Sequence, residues 1–203
     1  MNIPSEEELQ QLSYKTSLPK SLKQIKVKDV NADMIEAVLN DLYDYNDYLA
    51  EFSYNILSKY KYRIKSEDSV KLKFERYSNT TRTLKNILND MLGIRVIVDN
   101  YSEIPHVNYL RYVDMTQGKQ NDDGYRGLHL YYDKDNLSYS IEIQVWSKRD
   151  AKFNIWTHKY VYKEDANDTG ISLKRAYDKG VIHDEITFVQ ALNALRRDNN
   201  ERK

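Results

Sequence analysis

The sequence predicts an α+β fold, a mixed and largely antiparallel sheet flanked by helices, with further helices at both ends of the chain. Three observations lead there. Apolar residues recur at helical spacing in the first third and the last fifth of the chain. Alternating or β-branched runs fill the middle. An Asp-Lys-Asp-Asn turn at 133–136 joins two of those runs, which predicts a hairpin. At 203 residues, 40% apolar and 31% charged, the chain can bury the core of one such domain.

The elements follow in order. The opening "MNIPSEEELQQ" is acidic and polar, with no signal-peptide pattern. From Lys15 to Lys28 come five lysines and no acid, so residues 1–30 read as a basic, helical extension. Residues 31–60 predict one long helix capped by Asn31, with Met34, Ile35, Val38, Leu39, Leu42, Leu49, Phe52 and Ile56 forming its stripe. Leu84, Ile87, Leu88 and Met91 form a second stripe, which Gly93 would end. Strands are expected over 94–100, 127–133 and 138–146. "DEITFVQALNALRRDNNERK" closes the chain as an amphipathic helix using Phe188, Val189, Leu192 and Leu195. The segment 174–180 reads as an RNA contact or a plain solvated turn, the second being favoured. The central domain spans 31–165, with a helical extension over 166–203.

Several function classes fall away. Without cysteine there is no disulfide, thiolate metal site or cysteine nucleophile. No apolar run approaches the roughly 20 residues that cross a bilayer, so no membrane partner and a cytoplasmic location are expected. Neither G-x-x-x-x-G-K-[ST] nor G-x-G-x-x-G occurs, so a bound nucleotide would need side-chain cations to hold its phosphates. "RIKSEDSVKLK" supplies Arg63, Lys65, Ser69 and Lys73, the last two one helical turn apart on a common face.

Strand alternation gathers further polar groups. Residues two apart share a face, so Arg95, His129, Glu142 and Gln144 can lie on one side of the sheet. Asp90 falls in the last turn of the second predicted helix, where the macrodipole disfavours an anion and calls for a lysine or a divalent metal. An Asp and a Glu converging without cysteine suit a hard ion such as Mg2+, held jointly with substrate phosphates. Near the middle strand, "GYRGLH" sets Tyr125 and Arg126 between two glycines, ahead of His129.

Taken together these blocks resemble the RelA/SpoT-type synthetase domain of alarmone synthetases. The match rests on Arg63-x-Lys65-x-x-x-Ser69-x-x-x-Lys73, on Asp90-Met-Leu-Gly93-Ile-Arg95, and on Gly124-Tyr125-Arg126-Gly-Leu-His129 followed by Glu142-Ile-Gln144. His158 with Tyr162-Lys163 is a fainter echo. The resemblance implies an ATP-dependent pyrophosphokinase, moving the β,γ-pyrophosphate of ATP to a ribose 3′-hydroxyl. By the same resemblance Arg63 and Arg95 sandwich the adenine, while Lys65, Ser69 and Lys73 hold the phosphates. Asp90 and Glu142 hold Mg2+, and Glu142, with Gln144, activates the 3′-hydroxyl. Tyr125 stacks on the acceptor's base, with Arg126 and His129 orienting its phosphates or ribose.

Departures from the family pattern cluster on the acceptor side. Val145, Trp146 and Ser147 stand where a hydrophobic residue, arginine and threonine are usual. Trp146 is expected either to pack against the acceptor end or, the favoured reading, to fill the space of the absent arginine. Ala151 stands where an asparagine reads guanine, and Thr157 where a glutamate precedes the histidine. "RYVDMTQGKQNDD" replaces the usual lysine- and proline-containing approach to the turn. A toxic subgroup of short family members instead modifies the 3′-terminal adenosine of tRNA and is neutralised by an antitoxin. The resemblance extends to that subgroup, with the tRNA 3′ CCA end as acceptor and Lys20, Lys23, Lys26 and Lys28 on the RNA backbone. Alarmone synthesis on free guanine or adenine nucleotides is the alternative, and an inactive RNA- or protein-binding module the second.

Overall fold

A computed structural model describes residues 3–119, 122–161 and 167–201 of the chain. Its helices and strands, in chain order, begin with α1 (Glu6–Leu12), α2 (Ala32–Phe52), α3 (Tyr54–Leu57), β1 (Lys61–Ile64), α4 (Glu67–Tyr77) and α5 (Leu84–Ile87). There follow β2 (Leu92–Val98), β3 (Leu110–Asp114), β4 (Leu128–Tyr132), β5 (Ile141–Ser147), α6 (Lys148–Tyr160), α7 (Asn167–Asp178) and α8 (Glu185–Glu201). The α+β class is therefore as the sequence predicts. The five strands form one sheet in the order β1-β2-β5-β4-β3. β1 runs antiparallel to β2, with Arg63 opposite Gly93 and Lys61 opposite Arg95.

The chain divides into two compact units. The first comprises Met1–Val96, Ile104–Tyr112 and His129–Gln144, and the second Ile97–Glu103, Val113–Leu128 and Val145–Lys203. In the first unit α2 buries Val38, Leu42, Tyr45 and Leu49 against the core. The buried α2 carboxylate of Asp41 accepts from the Thr16 hydroxyl and the Tyr139 hydroxyl, each at 2.7 Å, and from the Ser17 amide. Those bonds pin the N-terminal segment, since a buried carboxylate is tolerated only when its lone pairs are filled. In the second unit Phe153, Trp156, Leu173, Ile182, Phe188 and Leu192 from α6, α7, α8 and the turn between the last two make the core.

Four boundaries differ from the sequence reading. The long helix stops at Phe52: buried Ser53 leaves helical geometry (φ −124°, ψ 7°), and only the short α3 follows before β1. Phe52 is 66% exposed, and Asp41 and Tyr45 occupy the buried stripe instead. The second predicted helix closes after Ile87, and β2 begins at Leu92, so Gly93 is a strand residue rather than a helix stop. β5 starts at Ile141 because Ser138 and Tyr139 are already engaged, by a bridge to Lys15 and a bond to the Tyr14 carbonyl. Residues 174–178 are not a solvated turn but the end of α7, with Lys174 buried and ion-paired to Asp178 at 2.6 Å.

Within residues 1–30 the α-helix is limited to α1, which a capping box between Ser5 and Glu8 starts. The rest of the described segment is irregular, with a turn at 22–24 and a 3-10 turn at Val27–Asp29, and is stitched to its neighbours. Lys26 bridges Thr83, and the amides of Leu84 and Lys85 donate to the Ile25 and Leu22 carbonyls.

Candidate active site

The first unit gathers most of the polar residues that the sequence singles out. Lys65 follows β1, Lys73 sits on the buried side of α4, and Asp90 lies in the loop between α5 and β2. Asp90 is thus three residues beyond a helix end rather than within it. Its charge is met by two lysines. Lys65 Nζ pairs with one carboxylate oxygen, and Lys73 Nζ donates to the other at 2.7 Å and to the Ile87 carbonyl at 2.5 Å. Burial pushes the Asp90 carboxyl up, but the two ammonium groups outweigh it and hold the group below the ordinary carboxylate range. Burial draws Lys73 down, with Asp90 opposing. Ser69 lies one turn before Lys73 on α4, where its amide and hydroxyl both bond the capping Ser66.

Glu142 on β5 is 5% exposed and has three donors. His129 Nδ1 stands 2.9 Å from Oε1, the Tyr131 hydroxyl donates to the same oxygen at 3.1 Å, and the Gln144 amide donates to Oε2 at 2.9 Å. An ionised carboxylate only accepts, so the imidazole donates here. Burial again pushes the carboxyl up, and the hydrogen bond and electrostatic attraction from His129 bring it below its usual range. Asp90 acts on Glu142 in the opposite sense, so each carboxylate lies within the other's field. Tyr131, which the sequence reading passed over, belongs to this cluster. Its alternation with His129 along β4 was the available signal.

Gln144 links onward to Arg95, whose guanidinium donates to the amide oxygen at 3.2 Å. Arg95 and Arg63 line one small cavity of about 80 Å³, with Gly93 and Gln144 in the same wall. A Cβ at Gly93 would make only ordinary contact with the Arg63 side chain, at 3.6 Å. The predicted gathering of Arg95, His129, Glu142 and Gln144 is present. β5 nevertheless has no wet face, since only Gln144 among its seven residues is more than marginally exposed.

The Gly124–Gly127 turn belongs to the second unit. Gly124 takes a left-handed conformation (φ +84°), and its α-carbon presses on α7, so that a Cβ would meet the Gly170 carbonyl oxygen at 2.5 Å. The Tyr125 hydroxyl accepts from Trp146 Nε1 at 2.7 Å, and Lys119 Nζ sits 4.9 Å from the ring centre. Trp146 therefore supports the tyrosine as well as filling space. Arg126 is bound into the turn by Asp122, to which it donates twice, at 2.7 and 2.8 Å. Asn154, which the sequence reading missed, accepts from the Arg126 amide at 3.3 Å and donates to its carbonyl at 2.7 Å. It stands on α6 three residues after Ala151. His158 lies in the last turn of α6, while Tyr162 and Lys163 fall outside the described residues.

Among the described residues no group of three or more histidines, aspartates or glutamates is placed to hold a metal ion. Two carboxylates still fit Mg2+, which keeps several waters and takes one or two carboxylates together with substrate phosphates. Asp90 and Glu142 both offer hard oxygens, and both carboxyls are held below the ordinary range, as ligands of such an ion would be. Among the described residues no helix is long and apolar enough to cross a membrane.

Residues 62–167 match the family described as "Region found in RelA / SpoT proteins", and the chain belongs to that family. Solved structures similar in fold include small alarmone synthetase 2 from Bacillus subtilis, at 22% identity over 80% of this chain and 98% of that one, with a TM-score of 0.45. Small alarmone synthetase 1 from the same organism is 17% identical over 83% and 99%, with a TM-score of 0.45. A GTP pyrophosphokinase family protein from Streptococcus pneumoniae is 18% identical over 81% and 89%, with a TM-score of 0.38. A search of curated proteins found no match.

Proposed function

We propose that the protein is an ATP-dependent pyrophosphokinase whose acceptor is the 3′-hydroxyl of a ribose, that of the 3′-terminal adenosine of tRNA. The observation that carries the reading is the first unit's paired arrangement: one carboxylate between two lysines, and a second held by His129, Tyr131 and Gln144. Lys65 and Lys73 have the chemistry to grip a triphosphate, and Arg63 and Arg95 to cover an adenine. Such transfer is mostly positioning and charge neutralisation. Mg2+ on Asp90 and Glu142 would neutralise charge on the phosphates.

The 3′-oxygen forms a bond to the β-phosphorus, the bridge between α- and β-phosphorus breaks, and AMP leaves with the bridging oxygen. A carboxylate as acidic as Glu142 is a weak base toward a resting alcohol. It takes the hydroxyl proton as the P–O bond forms and the alcohol turns acidic. Gln144 and His129 fix its orientation beforehand. The resemblance assigns Tyr125 to the acceptor base, a platform that takes adenine or guanine equally.

The acceptor-side substitutions at Val145, Trp146, Ser147, Ala151 and Thr157 support tRNA over a guanine nucleotide. A tRNA so modified cannot be aminoacylated, and its maker needs a neutralising antitoxin and works where translation occurs. The test is transfer from ATP labelled on its terminal phosphate, with Mg2+ and, separately, deacylated tRNA, GDP and GTP. Label on tRNA alone supports the reading. Label on GDP or GTP alone replaces it with alarmone synthesis, and no transfer with ATP bound leaves a binding module.

A further inference from the structure

The first unit holds a second and much larger cavity, of about 700 Å³, which none of the assigned residues except Lys23 explains. Its wall carries four cations, Lys23, Arg82, Lys85 and Arg111, against a single carboxylate, Asp133. That carboxylate is already engaged: Ser140 donates its hydroxyl to it, Lys85 Nζ stands 3.1 Å away and Arg111 Nε 3.9 Å away. The four lysines proposed for RNA are thereby separated. Lys23 faces the cavity, and Lys20, Lys26 and Lys28 are not in its lining.

The cavity meets the catalytic cluster at three points. Asn89, in its wall, precedes Asp90. Ser140 lies two residues before Glu142, and Asp133 two residues after Tyr131, steps of roughly 7 Å along extended chain. Arg111 closes the junction. Its guanidinium lies 4.3 Å from the Tyr131 ring centre, and the Tyr131 hydroxyl donates to Glu142. A step of that size is comparable to the reach from a ribose 3′-oxygen to the phosphate on its own 5′ side.

The geometry points to this cavity as the seat of the phosphate 5′ to the acceptor ribose, with Lys23, Arg82 and Arg111 as its cations and asparagine amides beside them. The inference rests on the acceptor chemistry proposed above and adds the site that binds it. Its ligand is a phosphate ester, either the diester of an RNA 3′ end or the 5′-phosphates of a free nucleotide.

The test uses the full chain with Lys23→Glu/Arg82→Glu, two exposed side chains away from the ATP groups. Deacylated tRNA and GDP serve as probes, measured by direct binding and as acceptors. The acceptor Kd and KM should rise at least tenfold, with ATP affinity within twofold of wild type, and Lys23→Arg/Arg82→Lys should retain wild-type binding. If RNA is the source, the log–log salt slope for tRNA falls by about one for each phosphate that the variant no longer neutralises. If a nucleotide is the source, wild type gains affinity from guanosine to GDP to GTP and the variant shows no such gradient.

Wild-type transfer with acceptor KM unmoved in the variant overturns the inference and leaves the pyrophosphokinase standing. Absent wild-type transfer sinks the acceptor assignment with its parent. The direct binding then decides the anion seat alone.

Discussion

Gly170→Ala isolates how a helix outside the motif blocks supports the turn that carries Tyr125. Gly170 sits on α7 against the Asp123–Gly124 peptide, and a Cβ there would lie 2.0 Å from the Asp123 carbonyl oxygen. Real Cβ atoms do not approach closer than 3.0 Å, so the turn or the helix must move by at least the difference, 1.0 Å. Backbone is the obstacle, and no side-chain rotation relieves it. Overpacking of this kind costs about 1–3 kcal/mol, a fall in Tm of roughly 2–12 °C for a chain of this length. Tyr125 follows the displaced peptide by one residue, and a 1 Å misplacement can cost about 100-fold in rate. The assay pairs thermal melting with acceptor and ATP kinetics. Transfer per mole of folded protein should fall by about two orders of magnitude, while ATP binding stays within twofold. A variant that melts lower yet transfers at the wild-type rate would refute the placement of Tyr125 by α7.

Three further outcomes are expected. Trp146→Phe keeps an aromatic ring but removes the donor to the Tyr125 hydroxyl; losing one bond worth about 1 kcal/mol should raise acceptor KM about fivefold. Tyr125→Phe should do the same, and the double variant should add little to either, as a double-mutant cycle would show. Asp90→Asn leaves Lys65 and Lys73 facing each other without their counter-charge, and urea unfolding should show a loss near the lower end of roughly 3–5 kcal/mol. Asp90 and Glu142 both have folded-state carboxyls below the ordinary range, so their stabilisation is full above about pH 4–5 and lost as pH falls through their folded values. Urea midpoints between pH 6 and pH 3 should therefore fall less steeply for Asp90→Asn than for wild type, and equal slopes would count against the ionised pair.

Much of the site was legible because strand alternation is strict. Arg95, His129, Glu142 and Gln144 were predicted to share a face, and three hydrogen bonds join them into one chain. Lys73 was legible from its helical spacing, and its partner Asp90 from the need for a compensating cation. The reason given for that need was incorrect, because the helix ends at Ile87 and the burial of Asp90 supplies the demand instead. Long-range pairings were not legible. Ser53 ends α2 by tertiary packing that no local signal marks, and β1 and β3 are too short and too exposed to show a pattern. Asn154 carries no signature until the turn that it holds is in place. The basic cavity combines residues 23, 82, 85 and 111, which are distant in sequence and ordinary one by one.

The most direct measurement is the nucleotide left behind when ATP is consumed with a competent acceptor and Mg2+. The account requires AMP, formed one for one with a 3′-pyrophosphorylated acceptor, and neither product from Glu142→Gln that still binds ATP. Release of ADP, or a Glu142→Gln protein that turns over like wild type, would contradict it.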